Sequence, residues 1–262
     1  MARAGWQDSR VDTPLNLALA LLSGAFVGSV LGLVGAGGAM LTVPILLYIF
    51  HYSPIHATTA SLAVVFIAAL FGVIPKARSK DVLYREAFTV WALGLVTNLG
   101  GSVVAKHLAP SVITGGFAII LVLAGTSMLR GNVTDRPERK IPFLILLAIS
   151  LVIGAMTGIF GIGGGFLAIP VLVLFFHIPH NKAAGTSLLI IALNCLTSFM
   201  GHHNIWHEIH WFVPAAIAAS AVVVSTIASH FSKRVPAKQL RQAFAVVLYA
   251  IAIFTILKTW LG

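Results

Sequence analysis

Charged residues are scarce in this chain, and their scarcity excludes the soluble classes of protein. Only 9% of the 262 residues are Asp, Glu, Lys or Arg, whereas a soluble domain carries about 25%. Residues 13–75 contain none, and a charge-free run of that length cannot form the core of a soluble protein of this size. Because about 20 apolar residues span a bilayer, the sequence predicts a multi-pass, all-α membrane protein. A soluble enzyme and a nucleic-acid-binding module are excluded.

Cysteine and catalytic signatures are equally scarce. The single cysteine, Cys195, lies in an apolar run, so no disulfide can form within the chain and a small buried hydrophobic role is expected. The sequence contains no G-x-S-x-G or H-E-x-x-H motif and no paired carboxylates within an apolar segment. We therefore expect no enzyme activity, no cofactor and no resident metal ion.

Basic residues predominate among the few charges, with 17 Lys and Arg against seven Asp and Glu. They lie in short loops between apolar segments, which is typical of cytoplasmic loops under the positive-inside rule. Residues 1–14 are polar. They could begin a signal peptide, but the sequence favours 15–50 as the first membrane element.

Eight hydrophobic segments follow along the chain. Six have the length of a single span, but 15–50 and 141–177 are each about 36 residues long, which is too long for a straight helix across a core of about 30 Å. Glycine-rich stretches interrupt both, so each is predicted to be a long helix broken inside the membrane and followed by a half-helix. The segments are 15–50, 56–75, 86–106, 111–130, 141–177, 182–200, 209–230 and 239–260.

The two long segments are copies of each other. A shift of 126 residues places Gly28, Gly32, Gly35 and Pro44 on Gly154, Gly158, Gly161 and Pro170, and the match continues to Ser61 and Ser187. Near the ends of the halves one inserted residue makes the shift 127. We therefore predict an internal duplication into two four-segment repeats, 15–130 and 141–262, with a linker at 131–140.

Loop charge bears on whether the repeats are parallel or inverted. If all eight segments cross the membrane, the Lys and Arg divide 11 to 6 between the two sides. If the two long segments are instead re-entrant hairpins, the division becomes 13 to 4 and the halves are inverted. Inverted repeats with discontinuous helices are common in secondary transporters, and the charge division favours this arrangement by a small margin.

The glycine-rich breaks are the leading candidate for a binding site. Clustered glycines free backbone N–H groups, which hydrocarbon cannot satisfy and a polar cavity can. A half-helix that starts at such a break directs its free donors and positive dipole end at a small anion, and Pro44 and Pro170 are expected to kink the half-helices. Close helix packing through small residues is the competing explanation. The candidate substrate-binding residues here are Gly35, Gly37, Gly38, Ala39, Gly161, Gly163, Gly164 and Gly165.

Hydroxyl, amide and basic side chains add to this candidate site. Ser61, Thr186 and Ser187 open the helices that follow the breaks, and hydroxyls can line an anion site without charge. Their alternative role is a hydrogen bond to the carbonyl one turn back. Asn98 and Asn194 lie within charge-free spans, so each is expected to face the interior. Further candidates for substrate or ion contact are Thr58, Thr59, Asn98, Lys182 and Asn194.

Histidines cluster between residues 201 and 210, in a predicted loop. His202 and His203, at the end of the sixth segment, are candidates for a proton-coupling or substrate-facing role. The cluster also resembles a metal site, although Glu208 is the only acidic residue beside it. A metal site is therefore the weaker interpretation.

The two glycine motifs resemble the paired signature of the sulfite exporter TauE/SafE family. The resemblance is carried by the motif from Gly28 to Pro44, by its copy from Gly154 to Pro170, and by the continuations to Ser61 and Ser187. It covers about 15–260. It implies a carrier linked to the transport of sulfite, sulfonates and related organosulfur anions.

The residues and the resemblance lead to one expected function. We expect a secondary transporter in the plasma (bacterial inner) membrane that binds a small anion near the midplane and alternates access by rocking of the two halves. An anion channel through the same cavity is the alternative, and a metal-binding membrane sensor or scaffold is a weaker one. The expected partners are the anion and the lipid bilayer, with no nucleic acid. A coupling proton or other ion and assembly into a homo-oligomer are left open.

Overall fold

A computed structural model describes residues 14–34, 38–105, 107–130, 143–160, 172, 178, 180–231 and 236–260, and within them the chain is helical without any strand. The predicted all-α class is therefore confirmed. The helices are α1 (Pro14–Val34), α2 (Gly38–Pro44), α3 (Pro54–Arg78), α4 (Tyr84–Ala105), α5 (Pro110–Arg130), α6 (Phe143–Phe160), α7 (His180–Gly201), α8 (Phe212–Phe231) and α9 (Ala237–Trp260). A π-helical turn, Ile45–Ile49, follows α2, and a 3-10 helix, His203–Glu208, joins α7 to α8.

Six of the described helices, α1, α3, α4, α6, α7 and α8, are long and apolar enough to cross a membrane. Their outer faces carry large apolar side chains. Leu15, Val96 and Leu144 are 68%, 76% and 75% exposed, which would be unfavourable in water and is favourable against lipid tails. The chain is a multi-pass membrane protein.

Local sequence sets the bounds of the central helix α3. Pro54 occupies the first turn, where a missing N–H is harmless, and the hydroxyl of Ser53 accepts a hydrogen bond from the His56 N–H at 3.4 Å. At the other end the chain turns through Lys80, whose φ is 58°. Lys76 and Arg78 lie in the last turn, where positive charge is favourable.

Glycines hold α1 against α8 with their backbones in contact. A Cβ added at Gly24, Gly28 or Gly32 would lie 2.5 Å or less from a carbonyl oxygen of α8. The three oxygens belong, in the same order, to Ile217, Ala221 and Ser225. Because both numbers rise together, α1 and α8 run in the same direction.

A matching seam joins α4 to α6. A Cβ at Gly94 would lie 2.5 Å from the Ser150 oxygen, and one at Gly158 would contact the Asn98 oxygen. These helices therefore also run in the same direction. In the sequence α1 and α4 belong to the first half, whereas α6 and α8 belong to the second, so each seam joins the two halves.

The central helices α3 and α7 run in opposite directions. Gly72 lies beside Leu188, and Gly185 lies beside Lys76, so the residue numbers rise along one helix as they fall along the other. α4 and α7 run in the same direction, because Asn98 hydrogen-bonds Asn194 and Ser102 hydrogen-bonds Ser198.

Two ends of the helix bundle can then be defined. The His56 end contains residues 50–56 and 202–211, joined by a hydrogen bond from the Tyr52 hydroxyl to the His210 oxygen at 2.6 Å and by an ion pair of 3.1 Å between His56 and Glu208. Burial raises the pKa of Tyr52 to about 12. The Lys76 end contains residues 76–83 and 180–186, joined by a hydrogen bond from the Leu83 N–H to the Thr186 hydroxyl at 3.0 Å.

The helix directions decide where each long segment begins and ends. α1 runs parallel to α8, so α1 begins at the His56 end, where α3 also begins. α6 runs parallel to α4, so α6 begins at the Lys76 end, where α7 also begins. Each long segment therefore starts and finishes at one end, and the two segments do so at opposite ends.

The half-helix α2 folds back along α1. A Cβ at Gly38 would lie 2.7 Å from the Leu31 Cβ and 2.8 Å from the Val27 oxygen, which a straight continuation of α1 could not allow. α2 ends at Pro44, and the π-helical turn that follows is the local distortion expected where proline removes a backbone donor. Within the second long segment, α6 ends at Phe160, and 161–171 and 173–177 lie outside the described residues.

Substitution at Gly94 should test the seam between α4 and α6. Gly94→Ala places a methyl group against the Ser150 oxygen and should lower the free energy of unfolding by about 1–3 kcal/mol, the usual range for overpacking. Gly100→Ala, on the same helix with nothing within 4 Å of an added Cβ, is the matched control. It should leave the melting temperature in detergent unchanged or slightly raised, and equal destabilisation by the two variants would contradict the seam.

Cysteine labelling should test the sidedness of the bundle. In a Cys195→Ala background, Arg78→Cys and Pro236→Cys should react with an impermeant thiol reagent from one side of the membrane, and Ile205→Cys should react from the other. This follows because α3 ends and α9 begins at the Lys76 end, whereas residue 205 lies at the His56 end. Labelling of positions 78 and 236 from opposite sides would refute the helix directions.

Candidate functional site

The hydroxyls that open α3 are buried near the His56 end. Thr59 donates to the Ile55 oxygen at 2.8 Å, and Ser61 donates to the Thr58 oxygen at 2.9 Å. Both bonds are the local back-bonding expected of Ser and Thr in membrane helices. The Thr58 hydroxyl is 1% exposed and has no hydrogen-bond partner.

The corresponding hydroxyls of α7 lie near the Lys76 end. Thr186 donates to the Lys182 oxygen at 2.7 Å and accepts from the Leu83 N–H at 3.0 Å, so it ties α7 to the connection before α4. Ser187 is fully buried beside it in sequence. Lys182 is only half-buried.

Ser61 and Ser187 lie at different depths in the bundle. Since Gly72 pairs with Leu188 and Lys76 pairs with Gly185, Ser187 is level with residue 73 of α3. Ser61 is 12 residues away along that helix, which corresponds to about 18 Å. The structure therefore places the two hydroxyls toward opposite ends and does not bring them together.

Most of the glycine motifs lie outside the described residues. This applies to Gly35 and Gly37 and to Gly161, Gly163, Gly164 and Gly165. Gly38 and the backbone of Ala39 are described, and both lie in the first turn of α2. The last described turns of α1 and α6 show what lies next to each motif.

Polar residues lie beside both of these helix ends. Gly32, three residues before the first motif, packs against the backbone of Ser225. Gly158, three residues before the second motif, packs against the backbones of Asn98 and Ser102. Each broken segment thus reaches its motif beside a helix of the other half, at a point where that helix carries polar side chains.

Asn98 and Asn194 form a polar contact in the described interior. They are 0% and 1% exposed, as expected for amides within charge-free spans. Asn98 Nδ2 donates to the Asn194 backbone oxygen at 3.0 Å and to Asn194 Oδ1 at 3.2 Å. Asn98 Oδ1 and Asn194 Nδ2 have no hydrogen-bond partner although both are buried. By the pairing of α3 with α7, Asn194 is level with the middle of α3.

Two serines and a histidine continue this polar line toward the His56 end. Ser102 and Ser198 share a hydrogen bond of 2.8 Å, and both are fully buried. His202 is also fully buried, and its Nδ1 donates to the Ser198 backbone oxygen at 2.8 Å. His203 is exposed and bonds the Met200 oxygen. The two neighbouring candidates therefore separate, and only His202 belongs to the interior.

Sequence reasoning missed several of these residues. Lys76 was classed with the loop charges, yet it is only 2% exposed and packs beside Gly185. The Ser102–Ser198 pair was missed as well. A partial signal was present in the sequence. Polar residues recur four apart, at 98 and 102 and at 194 and 198, within the charge-free stretches 87–105 and 183–207.

Histidines do not assemble a metal site in the described ranges, where no three His, Cys, Asp or Glu side chains come together. His56 and Glu208 form an ion pair, with side-chain exposures of 27% and 61%. Cys195 is a buried free thiol.

The chain is similar to known proteins over most of its length. Residues 20–255 match the family described as sulfite exporter TauE/SafE. A probable membrane transporter protein of Xylella fastidiosa (strain Temecula1 / ATCC 700964) is 28% identical over 254 residues, covering 94% of this chain and 97% of that protein. A probable membrane transporter protein of Methanocaldococcus jannaschii is 25% identical over 261 residues, covering 93% and 96%. The chain has no match among solved structures.

Removal of the Thr186 hydroxyl should loosen the Lys76 end. Thr186→Val leaves the half-buried Leu83 N–H without its acceptor, a loss of about 1 kcal/mol in the free energy of unfolding. Hydrogen exchange in 79–90 should accelerate. Thr59→Val is the control, because the Thr59 hydroxyl bonds only the Ile55 oxygen of its own helix. Unchanged exchange in Thr186→Val would show that the bond does not hold this end.

Proposed function

The chain belongs to the sulfite exporter TauE/SafE family, and from that premise we propose that this membrane transporter is a secondary carrier of a small anion. The anion is sulfite or a related organosulfur anion such as an organosulfonate. The membrane is the plasma membrane, which in a bacterium is the inner one. Its relatives are named only as probable membrane transporter proteins, so the substrate assignment rests on the family description.

The observation that carries the proposal is the opposite orientation of the two long segments. α1 and α3 both begin at the His56 end, and α6 and α7 both begin at the Lys76 end. Two re-entrant segments that enter from opposite sides are the arrangement of inverted-repeat carriers, in which half-helix ends meet a substrate within the membrane. We propose that the chain is built from two such inverted repeats.

Charge supports an orientation for the bundle. Loops and helix ends assigned to the Lys76 end contain 13 of the 17 Lys and Arg in the sequence, and those assigned to the His56 end contain four. The positive-inside rule then places the Lys76 end in the cytoplasm.

Neutral donors are proposed to hold the anion. Backbone N–H groups at Gly35–Gly38 and Gly161–Gly165 are the proposed donors, with the positive dipole ends of the half-helices. Ser61, Thr186 and Ser187 are proposed to line the path of the anion at two depths rather than to hold it together. Lys76, buried at the Lys76 end, supplies a cation that attracts the anion inward.

The two ends provide the gates that alternating access requires. The Tyr52–His210 bond and the His56–Glu208 pair lie at one end, and the Leu83–Thr186 bond lies at the other. These contacts are the proposed gates. In the proposed cycle one set of contacts opens while the other stays closed. His202, buried near the His56 gate, is the proposed residue for proton coupling because histidine titrates near neutral pH.

Sulfite flux into proteoliposomes tests the function. A carrier should show saturable uptake that responds to a proton gradient and is accelerated by sulfite on the far side. Gly37→Val and Gly163→Val should each reduce the initial rate by about tenfold or more if their backbones contact the anion. Gly100→Val, which meets open space, should not.

Other outcomes would overturn the proposal. Flux that does not saturate and carries a steady current would identify an anion channel. Unchanged transport by folded Gly37→Val and Gly163→Val proteins would refute the proposed role of the breaks. Bound metal in the purified protein, lost in a His202→Ala His203→Ala variant, would support the sensor alternative.

A further inference from the structure

The repeat-related contacts of the two halves have the same geometry and different chemistry. A shift of 126 residues carries α3 onto α7, and a shift of 127 carries α4 onto α8. The bond from Asn98 Nδ2 to the Asn194 oxygen, 3.0 Å long, then corresponds to the bond from the Ser225 hydroxyl to the Ala68 oxygen, 3.4 Å long. The same kind of interhelical bond thus occurs at both places.

Polar side chains are concentrated at only one of these places. The amide cluster, defined as Asn98, Ser102, Asn194 and Ser198, has four polar side chains, all of them 0% or 1% exposed. Its repeat-related counterpart consists of Ser225, Ser229, Ala68 and Gly72. Two of those four positions have no polar side chain.

The amide cluster also has hydrogen-bonding capacity that the protein does not use. Asn98 Oδ1 is an acceptor without a donor, and Asn194 Nδ2 carries donors without an acceptor. Buried polar atoms of this kind are rare in folded proteins unless water or a ligand completes them. Exchanging the O and N atoms of either amide would not remove the deficit, because two side-chain amides in contact cannot satisfy all of each other's donors and acceptors.

The location of the amide cluster also favours a binding site there. The amide pair is level with the middle of α3, and Gly158 brings the end of α6 against Asn98 only three residues before the second glycine motif.

We infer that the side chains of the amide cluster bind the anion, and that the side chains at the repeat-related position serve only for packing. This inference rests on the proposed function. The ligand must both accept a hydrogen bond from Asn194 Nδ2 and donate one to Asn98 Oδ1. A singly protonated oxyanion does both, whereas a fully deprotonated dianion such as sulfate can only accept and loses more hydration on burial.

A matched pair of cysteine variants tests the position of the site. In a Cys195→Ala background, Ser198→Cys and Ser225→Cys make the same small change, the first inside the amide cluster and the second inside its counterpart. Sulfite should slow thiol labelling of Ser198→Cys by at least about fivefold at saturation and leave Ser225→Cys unaffected. Equal protection of both, or protection of Ser225→Cys alone, would overturn the inference that the repeat-related position serves only for packing. No protection of either would overturn the amide cluster as the site.

A substitution series tests the chemistry. Asn194→Asp replaces the donor group by an oxygen of similar size and should raise the KM for sulfite by about tenfold or more, the loss expected when a buried hydrogen bond to a charged ligand is removed. Ser225→Ala should change KM by less than about twofold. The melting temperature without ligand checks folding, and Asn194→Leu gives a second variant without added charge.

The same measurements separate the inference from the proposed function. If the wild-type protein transports sulfite and both Asn194 variants fold and keep its KM, the site assignment fails and the carrier function stands. If the wild-type protein neither transports sulfite nor is stabilised by it, the substrate class fails first. The carrier should also prefer the protonated form of its substrate. Uptake of sulfite relative to sulfate should therefore rise from pH 8 to pH 6. A constant ratio would contradict the requirement for a ligand that both donates and accepts a hydrogen bond.

Discussion

Hydrocarbon offers no hydrogen bonds, and most features of this structure follow from that constraint. Backbone groups in the described helices are satisfied within each helix, and hydroxyls return to carbonyls of their own helix, as Thr59 and Thr186 do. Where a polar group bonds across helices, as Asn98 does with Asn194, it fixes the register of two helices that apolar contacts alone would leave free to slide. Wherever the helical ladder is interrupted, as between α1 and α2, the surrounding protein has to replace the missing partners.

Close packing between the halves is the second consequence of the lipid environment. Lipid tails are as apolar as leucine, so helices associate through close backbone contact rather than through the hydrophobic effect. Glycines provide that contact between α1 and α8 and between α4 and α6. One group of helices is therefore α1, α3 and α8, and the other is α4, α6 and α7, with α3 and α7 facing each other between them. Each group mixes both halves of the sequence. In the proposed alternating-access cycle the moving units would therefore be these groups, and not the two sequence halves that were expected from the sequence.

Sequence alone predicted the parts of this structure that depend on composition and local pattern. The all-α class, the positions of the single-span helices, the interruption after α1 and the burial of Asn98 and Asn194 follow from hydropathy, glycine content and the need to bury amides. The burial of Lys76 and the difference between His202 and His203 depend on which neighbour a side chain meets, and a one-residue step along a helix changes that. The Ser102–Ser198 pair depends on the register of α4 against α7, which no single helix encodes.

The glycine seams also bear on how a chain of this design could have begun. An isolated first half would present α1 with Gly24, Gly28 and Gly32 bare along one face, and the helix that covers them, α8, is supplied by the second half. The second half has the same need in reverse, because Gly154 and Gly158 on α6 are covered by α4. If the chain arose by the proposed duplication, a second copy of a half-length ancestor, inserted in the opposite orientation, would have covered this face. Duplication and fusion would then have joined, in one gene, two copies that already packed against each other in opposite orientations.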